Sequence, residues 1–217
     1  HDLNLTFVQS FESDRSEYLY GAVKSLASER QLYYALGSAE KITNLNSGLS
    51  EWTFHYYMGR LNYILQDKYL FTLTGRWDGS SRLAEGNKWD FFPSAAVAWR
   101  ISEEYFLRNN QNINDLKLRI GYGVTGNTAI SPYRTQGTIS RRAYGWELGQ
   151  IAAFGFVPAT IPSYNLGWEK TEQYNLGLDF AIINNRISGA VNLYLQNTSD
   201  LLMERKLPIA FGFDNFY

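Results

Sequence analysis

The chain is 217 residues long and carries 20 Lys+Arg against 21 Asp+Glu, a formal net charge of −1 that lacks the basic surplus a nucleic-acid partner requires. Cysteine is absent and there are only two histidines, which removes disulfides, thiolate zinc and thiol catalysis, argues against a His-based metal site, and leaves nothing that calls for a cofactor. Aromatic residues reach 16%, with 16 Tyr and 6 Trp, yet no run of about 18 apolar residues exists, so no transmembrane helix is expected.

Taken in order, the chain reads as strands. Leu3, Leu5 and Phe7 alternate with Asn4, Thr6 and Val8 in a first strand that fades near Arg15. Residues 18–50 read as a long connection, with room for a short helix in 21–36 and loop over 37–48. In residues 51–66, Tyr57, Gly59, Leu61, Tyr63 and Leu65 share one face and Arg60 and Asn62 the other; residues 66–68 make a tight turn. The third strand sets Tyr69, Phe71, Leu73 and Trp77 against Thr72, Thr74 and Arg76, and a polar loop covers 78–90. Residues 92–101 set Ala95, Val97, Trp99 and Ile101 against Ser94, Ala96, Ala98 and Arg100; a connection with a helical turn near 103–107 follows over 102–115. The fifth strand, 116–124, alternates Leu116, Leu118, Ile120, Tyr122 and Val124 with Lys117, Arg119, Gly121 and Gly123. After a very long loop, 126–167, comes a hairpin over 168–202 whose arms alternate strictly around Asn184-Asn185, read as a two-residue turn. Residues 203–217 begin another loop.

The connections sort by parity. Those after the first, third and fifth strands are long, and those after the second, fourth and sixth are shorter. A soluble meander has no reason for this, whereas an outer-membrane barrel has short periplasmic turns and long extracellular loops. The arms of the hairpin also reach the ten or so tilted residues that a strand needs to cross a bilayer. Arg60, Arg76, Arg100, Lys117, Arg119 and Asp179 all oppose the apolar series of their strands, as expected if they face a water-filled lumen while the apolar series faces lipid. The pattern predicts an all-β, antiparallel transmembrane β-barrel segment of about seven long strands. The alternative is a soluble or surface-anchored β-sandwich that binds carbohydrate or protein. Seven strands cannot close a barrel in lipid, so the chain is expected to be part of a larger one. No signal peptide opens it, which reads as a processed protein or a piece of something longer.

Four blocks in register carry a resemblance: GRLNYILQDKYLFTLTGRWDGSSRL, FFPSAAVAWRISEEYFL, LKLRIGYGVTGN and LGWEKTEQYNLGLDFAIINNRISGAVNLYLQNTSDLLM. Together with the opening HDLNLTFVQSFES, their order and spacing are similar to the barrel of SusC/RagA-type TonB-dependent outer-membrane transporters of Bacteroidota. The resemblance implies a barrel of roughly 22 strands plugged by an N-terminal domain. It implies a place in the outer membrane, in contact with its lipid, and active import of oligosaccharides or peptides driven by the TonB–ExbB–ExbD complex. It also implies a SusD-like lipoprotein capping the extracellular face. Residues 1–217 are read as part of one such barrel domain, without the plug and the remaining strands.

Other motifs favour plain readings. Asp78-Gly79-Ser80-Ser81-Arg82 suggests a cation or sugar site, but its residues are ordinary in turns. The glycines from Gly121 to Gly126 precede no helix, so they are read as letting neighbouring backbone or plug residues approach the lumen wall, not as a phosphate loop. Glu103-Glu104 lacks a cleft, and no enzyme activity is expected. The aromatic loop 141–164 is the best candidate for contact with substrate or cap, through Tyr144, Trp146, Phe154, Phe156 and Tyr164. Packing of these rings among the loops themselves, or against the cap, is the competing reading.

Overall fold

In the computed structural model the alternating segments form strands β1 (Asp2–Lys24), β2 (Lys41–Leu65), β3 (Tyr69–Ser80), β4 (Trp89–Arg100), β5 (Ile113–Asn127), β6 (Ile139–Gly145), β7 (Ala152–Pro158), β8 (Glu169–Ile182), β9 (Ile187–Ser199), β10 (Arg205–Lys206) and β11 (Asn215–Phe216). The structure describes residues 1–108, 110, 112–145, 152–206, 208 and 215–216. The chain divides into two compact units, one of His1–Phe11 with Phe54–Tyr217 and one of Glu12–Thr53.

The first unit is dominated by a sheet whose full order is β1-β2-β3-β4-β5-β8-β9. Its ladders, from β2–β3 through β8–β9, are all antiparallel, which gives an up-and-down meander. Register decides which side chains share a face, because directly opposed residues point the same way. Arg60 lies opposite Thr74, Arg76 opposite Phe92, Arg100 opposite Lys117, and Lys117 opposite Asp179. Two-residue steps along β3, β4 and β5 link these pairs, so all six predicted polar-face charges, Arg119 included, occupy one side. The other side carries Leu73, Val97, Ile120, Leu176 and Leu193 in a continuous apolar band, with Leu73 54%, Ile120 56% and Leu193 63% exposed. Among the described residues no second sheet covers that band, so the sandwich alternative is not what the chain builds.

The predicted parity holds for the connections after β1, β2, β5 and β8 but not between the other two: 81–88, after β3, is shorter than 101–112, after β4. Residues 66–68 close β2 to β3 with Gln66 and Asp67 at φ 54° and 57°, and the Lys68 N–H donates to Leu65 O at 3.0 Å. The turn at Asn184-Asn185 is longer than expected. Ile182 pairs with Ile187, which leaves four residues, and Ile183, Asn184 and Asn185 all have positive φ. A β-branched residue is strained there. The neighbouring connection holds it in place: the Ile183 N–H donates to Asn112 O at 2.8 Å and the Asn185 N–H to Asn114 Oδ1 at 3.0 Å.

The buried apolar cluster is small and lies with the long loops. It comprises Leu83, Ala84, Phe92, Ile130, Leu166 and Trp168, with Phe54, Val124 and Leu202 packed against it. Hydrogen bonds tie these loops together: the Ala84 N–H donates to Leu166 O at 3.0 Å, and the Trp168 indole N–H to Lys88 O at 3.2 Å. At Gly126 a Cβ would collide with Phe92 and Trp168, so glycine is what lets the two rings close over β5.

Several boundaries differ from expectation. The loop expected over 126–167 contains the hairpin β6–β7, and the loop expected from 203 contains the short pair β10–β11. The 78–90 loop shrinks to 81–88, because β3 runs on to Ser80 and β4 starts at Trp89. The helical turn expected near 103–107 is a 3-10 turn at Ile101–Glu103 followed by a hydrogen-bonded turn.

The second unit holds residues 12–24 of the 23-residue β1 and 41–53 of the 25-residue β2, so about half of the expected 18–50 connection is strand. Residues 12–17 are polar on both faces, which erases the two-faced signal without hindering a backbone ladder. Arg15 pairs with Glu17 and, at 3.2 Å, with Glu51. The expected short helix is a 3-10 segment, Glu29–Ser38, kinked at Leu32 and Ala35.

The faces yield a sharp test. Leu176 and Asn175 are chain neighbours on opposite faces. In the full barrel refolded in lipid, Leu176→Arg is expected to cost about 2–4 kcal/mol and Asn175→Arg under about 0.5 kcal/mol, read by denaturant titration of the heat-modifiable folded band. Equal costs would refute the assignment of faces.

Candidate functional site

The polar face carries the chemistry. On β5, β8 and β9, the Arg119 guanidinium donates to both oxygens of Asp179, at 2.9 and 2.6 Å, and to Asn192 Oδ1 at 3.0 Å. Lys117 Nζ reaches Asp179 Oδ2 at 3.0 Å. Gly177 lies directly opposite Arg119, and a Cβ there would sit 2.9 Å from the guanidinium. The glycine therefore makes room for a three-strand charge network in which one carboxylate serves two cations.

A second group lies towards the long-loop end. Arg76 grips Asp78 with two nitrogens, Nε–Oδ1 at 3.0 Å and Nη2–Oδ2 at 2.9 Å, and stacks 4.3 Å from the centre of the Tyr56 ring. Asp78 is buried, and it belongs to β3 and not to a loop. Ser80 is buried as well, so the stretch read as a structural loop is strand as far as Ser80. Arg60 donates its Nε to Thr74 Oγ1 at 3.2 Å. These side chains open on a cleft of about 550 Å³, whose far wall is Phe92, Trp168 and residues 123–129. Arg100 stands apart from them, at the short-turn end, where its Nη1 donates to Asp67 O at 3.4 Å. The stretch Gly121–Gly126 lies inside β5, consistent with close approach and not with a phosphate loop.

The aromatic candidates do not form one site. Phe154 and Phe156 share a face of the β6–β7 hairpin opposite Ala143 and Arg141, both are exposed, and the Arg141 guanidinium lies 3.5 Å from the Phe154 ring centre. Tyr144 pairs through its backbone with Ala153 in that hairpin. Trp146 lies outside the described residues. Tyr164 borders a different cleft, of about 710 Å³, with Asn87, Asp90, Asn165 and Lys170. Sequence reasoning missed Leu83, Ile130, Leu166 and Trp168 as the packing that fixes both clefts. The available signal was Leu83-Ala84, an apolar pair inside an otherwise polar loop.

Glu104 is better partnered than its sequence suggests. It accepts hydrogen bonds from the Tyr69 hydroxyl at 2.7 Å, Lys68 Nζ at 3.0 Å and the Trp99 indole N–H at 3.1 Å. These donors, that of Tyr69 first, hold its carboxyl down to about 2 from an ordinary 4.5, outweighing the opposing effect of desolvation. It is thus an ionised clamp on the short-turn end of β3 and β4, the opposite of a proton donor at neutral pH.

A long-stranded meander with one charged and one exposed apolar face, and with its loops folded over the charged side, defines a segment of an outer-membrane-type β-barrel. The match to known proteins is specific. Residues 2–216 fit the model of the TonB-dependent receptor-like β-barrel family, and the chain belongs to that family of outer-membrane proteins, which are transporters and receptors and not enzymes. It is 36% identical over 207 residues to a TonB-dependent receptor of Formosa agariphila, covering 95% of this chain and 21% of that protein. It is 42% identical over 161 residues to the TonB-dependent receptor SusC of Bacteroides thetaiotaomicron, covering 73% and 16%. The open-open structure of the RagAB peptide importer shares the fold with a TM-score of 0.83 at 24% identity, over 99% of this chain and 23% of that one. The chain spans about a fifth of the length of the curated relatives it matches.

The Glu104 clamp sets an acid-stability expectation. A carboxyl whose folded pKa is depressed stabilises the fold above its unfolded pKa, and this stabilisation is lost as pH falls through the folded value. Loosening of the short-turn end is therefore expected between about pH 4.5 and about pH 2. Trp fluorescence followed through an acid titration should show that transition in the wild type, and Glu104→Gln should lack it within that window. An identical acid profile in the variant would refute the clamp.

Proposed function

We propose that this chain forms part of the wall and extracellular loops of an outer-membrane active transporter, importing oligosaccharides or peptides. It works with a SusD-like surface lipoprotein and is energised through TonB–ExbB–ExbD. The observation that carries this reading is the division of the sheet into faces: six charged residues on one side, an exposed apolar band on the other. Residue-level similarity to SusC supports the SusC-like class and, with it, the lipoprotein partner. In this reading the charged face lines the lumen. Residues 1–217 form one stretch of a larger barrel domain that also holds a plug. Short turns face the periplasm and long loops the cell exterior. Phe154 and Phe156 on the β6–β7 hairpin, with Tyr144, Trp146 and Tyr164, supply contact surface for the cap or the substrate.

The absence of native cysteine makes sidedness easy to test. Single cysteines replacing Glu85, exposed in the 81–88 loop, and Asn185 are expected to differ: an impermeant maleimide on intact cells labels the first and not the second. Equal labelling would overturn the topology. In the same strain, uptake of labelled oligosaccharide or peptide should cease on deletion of the protein and on collapse of the proton gradient. Recovery of the protein in buffer without detergent would overturn the membrane reading itself.

For the hairpin, Phe154→Ala combined with Phe156→Ala is expected to weaken cap association or substrate binding by about tenfold or more while heat-modifiable mobility stays unchanged. Wild-type levels of both would remove this hairpin from the contact surface.

A further inference from the structure

On the polar face, three of the five cations of the charged series come matched to acids, and Arg100, at the short-turn end, donates to a backbone carbonyl. Lys117 and Arg119 share Asp179, and Arg76 is gripped by Asp78. Arg60 departs from this pattern. Its Nε is held by Thr74 Oγ1, and among the described residues no carboxylate pairs with it. It opens into the 550 Å³ cleft, which three guanidiniums line, those of Arg60, Arg76 and Arg82, against the single carboxylate of Asp78. Asp78 is already satisfied by two bonds from Arg76, and Arg82 Nη1 is turned to Thr128 O at 3.4 Å. The cleft thus holds the positive field of Arg60, which no described carboxylate pairs with, and the terminal nitrogens of Arg60 are its remaining donors. Low-dielectric walls focus such a field, and here Phe92 and Trp168 provide them. A guanidinium anchored through Nε still offers its two terminal nitrogens as a fork, which matches the geometry of a carboxylate.

We propose that this cleft binds a carboxylate of the imported chain, with Arg60 as its anion-recognising residue and the Phe92–Trp168 wall against the adjoining apolar surface of the ligand. The proposal rests on the importer reading and narrows it to acidic substrates. A uronic-acid unit of an oligosaccharide and an Asp or Glu of a peptide present the same group.

The test uses the full-length protein in detergent and calorimetry with four probes: oligogalacturonate, oligogalactose, hexaglutamate and hexaglutamine. One acidic probe is expected to bind at least about tenfold more tightly than its neutral counterpart, with affinity falling as salt rises. Which acidic probe binds identifies the source of the carboxylate. Arg60→Gln should remove that preference, and Arg60→Lys, which keeps charge without the fork, should retain part of it. Thr74→Asp, which sets an internal carboxylate against Arg60, should lower acidic-probe affinity as Arg60→Gln does, and covers the case in which Arg60→Gln fails to fold. Equal affinity for acidic and neutral probes, no binding of either acidic probe, or an acid preference untouched in both folded variants would each overturn the proposal. Outer-membrane recovery and gradient-dependent uptake are measured in the same strains. Their failure sinks the importer reading, whereas their persistence without acid preference sinks only the assignment of the cleft.

Discussion

The structure depends on one constraint: backbone N–H and C=O groups have no water to turn to inside a bilayer, so each must find its partner on a neighbouring strand. From β2 to β9 the ladders run antiparallel, with one register shift, between Ile113 and Asp115 of β5. Because that ladder holds the sheet, the side chains on its two faces are released from making a common core. One face turns Leu73, Ile120, Leu176 and Leu193 outward and exposed. The other carries ion pairs and hydrogen bonds. In a soluble domain of this size such an apolar band would be an error of design; in a membrane barrel it is the surface that meets lipid.

Among the described residues, the buried apolar cluster lies at the long-loop end. There Leu83, Ala84 and Leu166 fold onto Phe92 and Trp168, and Gly126 lets the rings close. This cluster gives the loops fixed positions. The 81–88 loop is tied to the segment before β8 by backbone bonds, so the walls of both clefts rest on the sheet itself. At the other end, Glu104 binds Lys68, Tyr69 and Trp99 and fastens β3 to β4 without any buried apolar contact. The two ends thus use different chemistry: apolar packing at the end that carries Leu83, Leu166 and Trp168, and an ionised clamp at the end that carries Glu104.

The charged face is organised by sharing. Asp179 serves Lys117 and Arg119 together, an arrangement that Gly177 permits by leaving space opposite the guanidinium. Arg76 spends its charge on Asp78 and its flat face on Tyr56. Such pairing fixes side-chain directions along β3, β5 and β8 and gives the polar face a defined relief.

Much of this was legible in the residues. Period-two alternation along β3, β4, β5, β8, β9 and the second half of β2 was enough to set strand type, facing and even the side of each of six charges, because in a sheet parity alone decides direction. Loop lengths gave the up-and-down order, and four sequence blocks gave the family. What alternation could not show was structure where the two faces do not differ: residues 12–17 are polar on both and β7 is apolar or small on both, so the far halves of β1 and β2 and the hairpin β6–β7 read as loop. Nor could it show pairing between distant residues. That Asp179 lies beside Lys117, that Phe92 meets Trp168, and that Tyr164 and Phe156 belong to different surfaces are consequences of register and loop return. These place residues tens of positions apart within contact distance, and only the tertiary structure decided them.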